Sequence, residues 1–125
     1  MIDVKTAENI HNILIDRFGG SKGIRDLAGL EAGLARPYVT FDQKDLYPEP
    51  VDKAAAIFES IIINHPFIDG NKRIAYVLMR LTLMNAGFDI SASQDEKYAM
   101  TISSSKGEMN CDEIKNWISS KIHVR

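Results

Sequence analysis

Cysteine is nearly absent: the single Cys111 cannot form an internal disulfide, and its polar surroundings lack the paired Cys or His spacing of a zinc site. A reducing, cytoplasmic setting is expected. Long apolar runs are missing too. The start, MIDVKTAENIH, lacks the charged-then-apolar pattern of an export signal, and no stretch is long enough to cross a bilayer, so no membrane association is expected. Nor is there an excess of positive charge. Fifteen Lys+Arg against seventeen Asp+Glu give a formal charge of -2, which excludes a global basic field for direct nucleic-acid binding and leaves room only for a local anion site. Repeats and low-complexity tracts are also lacking.

What remains is ordinary globular composition: 45% hydrophobic and 26% charged residues over 125 positions, enough for one core and one domain spanning 1–125. The dominant pattern is helical. Ala7, Ile10, Leu14 and Phe18 recur at steps of three and four within 5–18, and Gly19 and Gly20 then stop the helix. Leu27, Leu30 and Leu34 mark a shorter helix over 27–35, closed by Pro37. The segment 38–50 keeps no helical period. It opens with the extended-looking Val39, Thr40 and Phe41 and reads as a loop or flap. Ala54, Ile57, Phe58, Ile61, Ile62 and His65 then form one stripe of a third, well-buried helix that Pro66 ends near His65. Ile74, Val77, Leu78, Leu81 and Met84 carry a fourth helix from Asn71 to Gly87. Ser93 with Glu96, and Asn110 with Glu113, have the spacing of capping boxes and open two more, the last carrying Ile114, Trp117, Ile118 and Ile122. The expected fold class is all-α, a compact bundle of about six helices.

The chemistry concentrates in HPFIDGNKR, His65 to Arg73, at the junction of the third and fourth helices. A helix start presents unpaired backbone N–H groups and partial positive charge, which together bind anions. Gly70 allows close approach to the backbone, and Asn71, Lys72 and Arg73 add side-chain donors, so the stretch reads as a phosphate cradle. Asp69 can supply the carboxylate for a Mg2+ ion whose other ligands are water and phosphate oxygens. His65 offers an imidazole, the side chain suited to taking a proton from a hydroxyl near neutral pH. Each residue also has a plainer reading: Asp69 as a helix cap, Lys72 and Arg73 as a solvated first turn, His65 as a core histidine. Their joint occurrence at one junction favours the functional one.

The nine residues resemble the motif of the Fic/Doc superfamily: His, any residue, Phe, any residue, Asp or Glu, Gly or Ala, Asn, a variable position, Arg. His65, Phe67, Asp69, Gly70, Asn71 and Arg73 match its fixed positions. The adenylyltransferase branch usually has Gly at the variable position and a second Arg three residues after the first. This chain has Lys72 and Tyr76 there, and so is similar to the Doc (death-on-curing) branch. RFGGSKGIRD at 17–26 and LARP at 34–37 extend the likeness.

That resemblance implies a kinase-type toxin, paired with an antitoxin, that moves phosphate from ATP to a Ser or Thr of a target protein, and it points to a translation elongation factor as that target. It further implies His65 as general base, Asp69 as Mg2+ ligand, and Asn71, Lys72 and Arg73 on the nucleotide phosphates. Tyr38, Val39, Thr40 and Phe41 are the candidate substrate flap. Ser104 and Glu108 have the spacing of a self-inhibitory segment, but Met109 breaks that motif, and a simple turn is expected there. The competing readings are an adenylyltransferase of similar fold and a helical partner-binding module without catalysis. A helical DNA-binding regulator is disfavoured by the acidic balance.

Overall fold

In the computed structural model, which describes all 125 residues, the third helix occupies the centre because its sequence allows close approach from every side. This helix, α3 (Pro50–Asn64), buries Ala54, Ala55 and Ala56 beside Ile57, Phe58, Ile61 and Ile62. The three consecutive alanines let neighbouring helices seat at close range, and the larger side chains after them fill the core. Packed around α3 are α2 (Leu27–Ala35), α4 (Asn71–Asn85), α5 (Gln94–Ser105) and α6 (Cys111–Lys121). The first helix, α1 (Val4–Phe18), packs against α2 and α4. The expected six-helix, all-α architecture is therefore observed.

Helix ends follow the local chemistry. Asp3 and Asp26 cap α1 and α2, each accepting a backbone N–H three residues on. The Ser93–Glu96 and Asn110–Glu113 boxes are both formed, and Glu49 with Asp52 makes a third at the start of α3. After α2 the chain tightens into a 3₁₀ turn, Arg36–Tyr38, containing Pro37. Arg36 there reaches Glu59 of α3 at 2.8 Å, a half-buried ion pair that also ties the turn to the core.

Two small antiparallel sheets complete the fold. The 38–50 segment holds a hairpin of β1 (Thr40–Phe41) and β2 (Lys44–Asp45), turned by Asp42 and Gln43 at φ 52° and 63°. Two consecutive positive φ values match the twist that a two-residue hairpin requires. The second sheet pairs β3 (Phe88–Ile90) with β4 (Ile122–Val124). Ile122 thus belongs to a strand and not to the last helix. Its apolar side chain keeps the helical spacing, but pairing with Ile90 draws the backbone into extended geometry, φ -76° and ψ 146°. No helix is long and apolar enough to cross a membrane.

Candidate active site

The junction between α3 and α4 is built by two left-handed residues. His65 caps α3 at φ 46° and ψ 55°, and Gly70 caps α4 at φ 72° and ψ 20°. Between them Phe67 is buried while Ile68 and Asp69 are exposed, so the segment is anchored at its middle and open at its rim. Asn71 supplies a further anchor: its amide accepts from the Phe67 N–H and donates to the Phe67 carbonyl, both at 2.9 Å. Reciprocal bonds of this kind fix the loop that carries Asp69 and leave the second amide N–H of Asn71 for other partners.

The α1–α2 connection lies along the same loop. Arg25 and Asp26 donate their backbone N–H groups to the Pro66 carbonyl, Ile68 donates to Gly23, and Ile24 pairs with Phe67 as an isolated bridge. The Arg25 guanidinium closes the end of α3, donating to the Asn64 carbonyl at 2.8 Å and to the His65 carbonyl at 2.8 and 2.6 Å. These are the orphan acceptors of a helix C-terminus, satisfied here by a cation that also complements the helix dipole.

His65 is exposed and no hydrogen bond engages its ring. The reading of His65 as a core histidine is therefore excluded, and its imidazole stands at the wall of an open cleft of about 630 Å³, of the size that holds a small ligand. Asp69, Gly70, Asn71, Lys72 and Arg73 line that cleft together with His65. Lys72 and Arg73 are exposed, and the Arg73 guanidinium lies over the Phe18 ring at 4.3 Å from its centroid, which limits its swing. Asp69 does not cap α4. Its Oδ1 accepts from the Gly70 N–H at 2.8 Å and its Oδ2 from the Ser21 N–H at 3.2 Å.

The opposite wall comes from α5, which contributes Gln94, Lys97, Tyr98, Thr101 and Ile102. Tyr76 and Val77 form part of the floor. The Lys97 ammonium sits 5.6 Å from the Tyr76 ring centroid, and burial pushes the Tyr76 phenol up to about 12, its hydroxyl being buried without a partner. Asn71, Lys72 and Arg73 thus gather at the start of α4, while Tyr76 and Val77 of α4 with Tyr98 and Ile102 of α5 supply aromatic and aliphatic surface between the two helices. An anion with an attached planar or apolar group fits that division.

Several of these residues were not legible beforehand. Phe18, Ser21 and Arg25 fall within the 17–26 stretch that extends the likeness, but their contacts at the site, like the α5 wall, come from segments distant in sequence. The four flap residues Tyr38, Val39, Thr40 and Phe41 are exposed, Phe41 at 77%, and do not line the cleft. Around Ser104 and Glu108 the chain does form a turn: Ser104 is buried on α5, and the Glu108 N–H returns to the Ser103 carbonyl at 2.9 Å.

The site thus sets an exposed imidazole beside the start of α4, with Lys72 and Arg73 exposed at the same cleft. Comparison with known proteins supplies the class. The sequence model of the Fic/DOC family matches residues 1–83, and the chain belongs to that family, whose members are transferases. It is 36% identical over 110 residues to the "Toxin Doc" of Mycolicibacterium smegmatis, covering 88% of this chain and 80% of that protein. Shorter similarities, 38% and 36% identical over 47 residues, link it to the "Protein adenylyltransferase fic-1" of Caenorhabditis elegans and of Caenorhabditis briggsae; each covers 38% of this chain but only 9% of the relative.

Proposed function

We propose that this chain, acting as one Fic/Doc-like domain, is the toxin of a toxin–antitoxin pair and transfers the terminal phosphate of ATP to a Ser or Thr hydroxyl of a target protein, a translation elongation factor being the target the resemblance implies. The observation that carries the reading is the exposed His65 ring at the edge of a cleft whose floor is the start of α4. An imidazole with both ring nitrogens engaged by the protein could not act as a base. This one is free to take the hydroxyl proton as the oxygen attacks phosphorus, the new O–P bond forming while the bond to the ADP oxygen breaks. Lys72, Arg73 and the first N–H groups of α4 offset the charge that develops on the phosphoryl oxygens.

The residues fit a divalent cation of the Mg2+ kind. Asp69 offers a single exposed carboxylate with no cluster of other metal-ligating groups around it, which suits an ion that keeps water and phosphate oxygens as its remaining ligands. When bound, Mg2+ would neutralise phosphate charge and orient the polyphosphate. Tyr76 and Val77 of α4 with Tyr98 and Ile102 of α5 are a fitting wall for the nucleoside.

Lys72 and Tyr76 favour phosphorylation over nucleotidyl transfer. A long cation at 72 fills space that a glycine leaves open, and so alters which phosphate can settle over α4. The 47-residue similarity to adenylyltransferases supports a second reading, transfer of the nucleotidyl group. Incubation with ATP labelled on the γ-phosphate or on the adenine separates the two: the γ label should reach the target protein, and transfer of the adenine label would replace the kinase reading with the other. A short open reading frame directly beside this gene, encoding a protein that binds this chain and blocks transfer, is the expected antitoxin.

A further inference from the structure

His11 lies on the inner face of α1, 1% exposed, in a stripe otherwise made of Ala7, Leu14 and Ile15. Its Nε2 is 2.7 Å from the Asp69 carbonyl oxygen, which can only accept, so Nε2 carries the proton and donates. That leaves Nδ1 as a bare acceptor, buried with no partner. The ring stacks on Phe67 with centroids 3.9 Å apart and planes 8° from parallel. A phenylalanine would fill the same space without the orphaned Nδ1, but it would leave the Asp69 carbonyl without this donor. Packing therefore does not account for a histidine here, whereas the bond to Asp69 does.

The end of the same helix touches the other side of Asp69. Ser21 gives its N–H to Oδ2, and Gly20, at φ +115°, passes so close that a Cβ on it would stand 2.7 Å from that oxygen. With Oδ1 taken by the Gly70 N–H, each carboxylate oxygen has one lone pair engaged by backbone and others left for a cation. We infer that α1, through His11 and the Gly20–Ser21 exit, is a positioning frame that sets the direction of the Asp69 carboxylate. The inference rests on the reading of Asp69 as the Mg2+ ligand. His11 is a positioning residue: it holds the main chain that carries Asp69 and reaches it through a single hydrogen bond. Outer partners of a metal ligand are worth roughly ten- to a hundredfold in metal affinity.

The test measures Mn2+ binding in the presence of ADP, by electron paramagnetic resonance on the full chain, together with the thermal midpoint. His11→Phe exchanges the orphaned Nδ1 for an unpaired Asp69 carbonyl, so the midpoint should stay near that of the parent while Mn2+ binding weakens about tenfold or more. His11→Gln, whose amide N–H can replace the donor at Nε2, should restore most of that loss. Gly20→Ala should weaken Mn2+ binding independently, by pushing the carboxylate aside. Transfer by His11→Phe should recover at high Mg2+, so the apparent Mg2+ requirement rises while the saturated rate changes little.

Parent-like Mn2+ affinity in folded His11→Phe, or equal affinity in the Phe and Gln variants, would overturn the frame. Should His11→Phe fail to fold, Gly20→Ala decides alone, and parent-like affinity there also overturns it. Asp69→Asn serves as the control on the underlying reading. If it binds Mn2+ like the parent, Asp69 is no metal ligand and both ideas fall; if it loses binding while His11→Phe and Gly20→Ala do not, only the frame falls.

Discussion

His65 occupies a backbone conformation that L-residues with a full side chain adopt at a cost of about 1–2 kcal/mol, because Cβ crowds the following carbonyl. A glycine at that position would relieve the strain and lose the chemistry. The His65→Gly variant should therefore be more stable than the parent by about 1 kcal/mol while transfer falls by roughly 10²- to 10⁴-fold, read by calorimetry and by label transfer. Parallel loss of both would mean that His65 acts through folding alone. Tyr76 presents a second residue whose polar atom is not satisfied by the protein. Its hydroxyl is buried and unpartnered, so Tyr76→Phe should raise the unfolding free energy by about 1 kcal/mol in urea titration. A decrease would show that the hydroxyl has a partner in solution.

Among the elements, the end of α3 and the start of α4 decide the site, and Arg25 from the α1–α2 connection governs the first of these. Its fork spans the Asn64 and His65 carbonyls, a geometry that the point charge of a lysine cannot reproduce. Arg25→Ala and Arg25→Lys should both release the end of α3 and lower the transfer rate by roughly ten- to a hundredfold, with ATP affinity less affected, since a shift of the base by about an ångström suffices. A lysine variant with the parent's rate would refute a geometric role. The start of α5 positions the far wall of the cleft. Ser93→Ala removes the side chain that accepts the Glu96 N–H and should cost about 1 kcal/mol in denaturant unfolding.

For the molecule as a whole, two ion pairs join segments that helix packing alone would leave loose. Arg80 of α4 holds Asp89 of β3 by two bonds, 2.7 and 2.9 Å, and Lys121 at the end of α6 holds Glu96 of α5. The hydrogen bond from Arg80 keeps the Asp89 carboxyl well below the usual carboxylate range, and that from Lys121 lowers Glu96 to about 2. In both cases the folded value lies below the unfolded one. Each pair therefore contributes stability that is fully present above the unfolded value of about 4 and is lost as pH falls toward the folded value. Both pairs are partly exposed, so the contribution is modest and screened by salt. Combining Asp89→Asn with Glu96→Gln should flatten the fall of the thermal midpoint between about pH 5 and pH 2, with little change in slope above pH 6. An unchanged acid limb would remove these pairs from the account.

How much of this was legible in the sequence depended on the range of the interaction involved. Helix periods, glycine stops, the Ser93 and Asn110 boxes and the order of chemical types from His65 to Arg73 are all local, and local sterics and hydrogen bonding determine them within a turn or two. The bounds of α2 and the opening of α4 at Asn71 follow from that range. Other features required the chain to close on itself. Ile122 became a strand residue only because Ile90 was there to pair with it, and nothing local singled out His11 before the carbonyl of Asp69, 58 residues away, came to accept its hydrogen bond. The α5 wall likewise became part of a cleft only by facing α4. Short-range backbone chemistry is written in consecutive residues, whereas a partner supplied from across the core exists only once burial of the apolar faces has brought the two segments together.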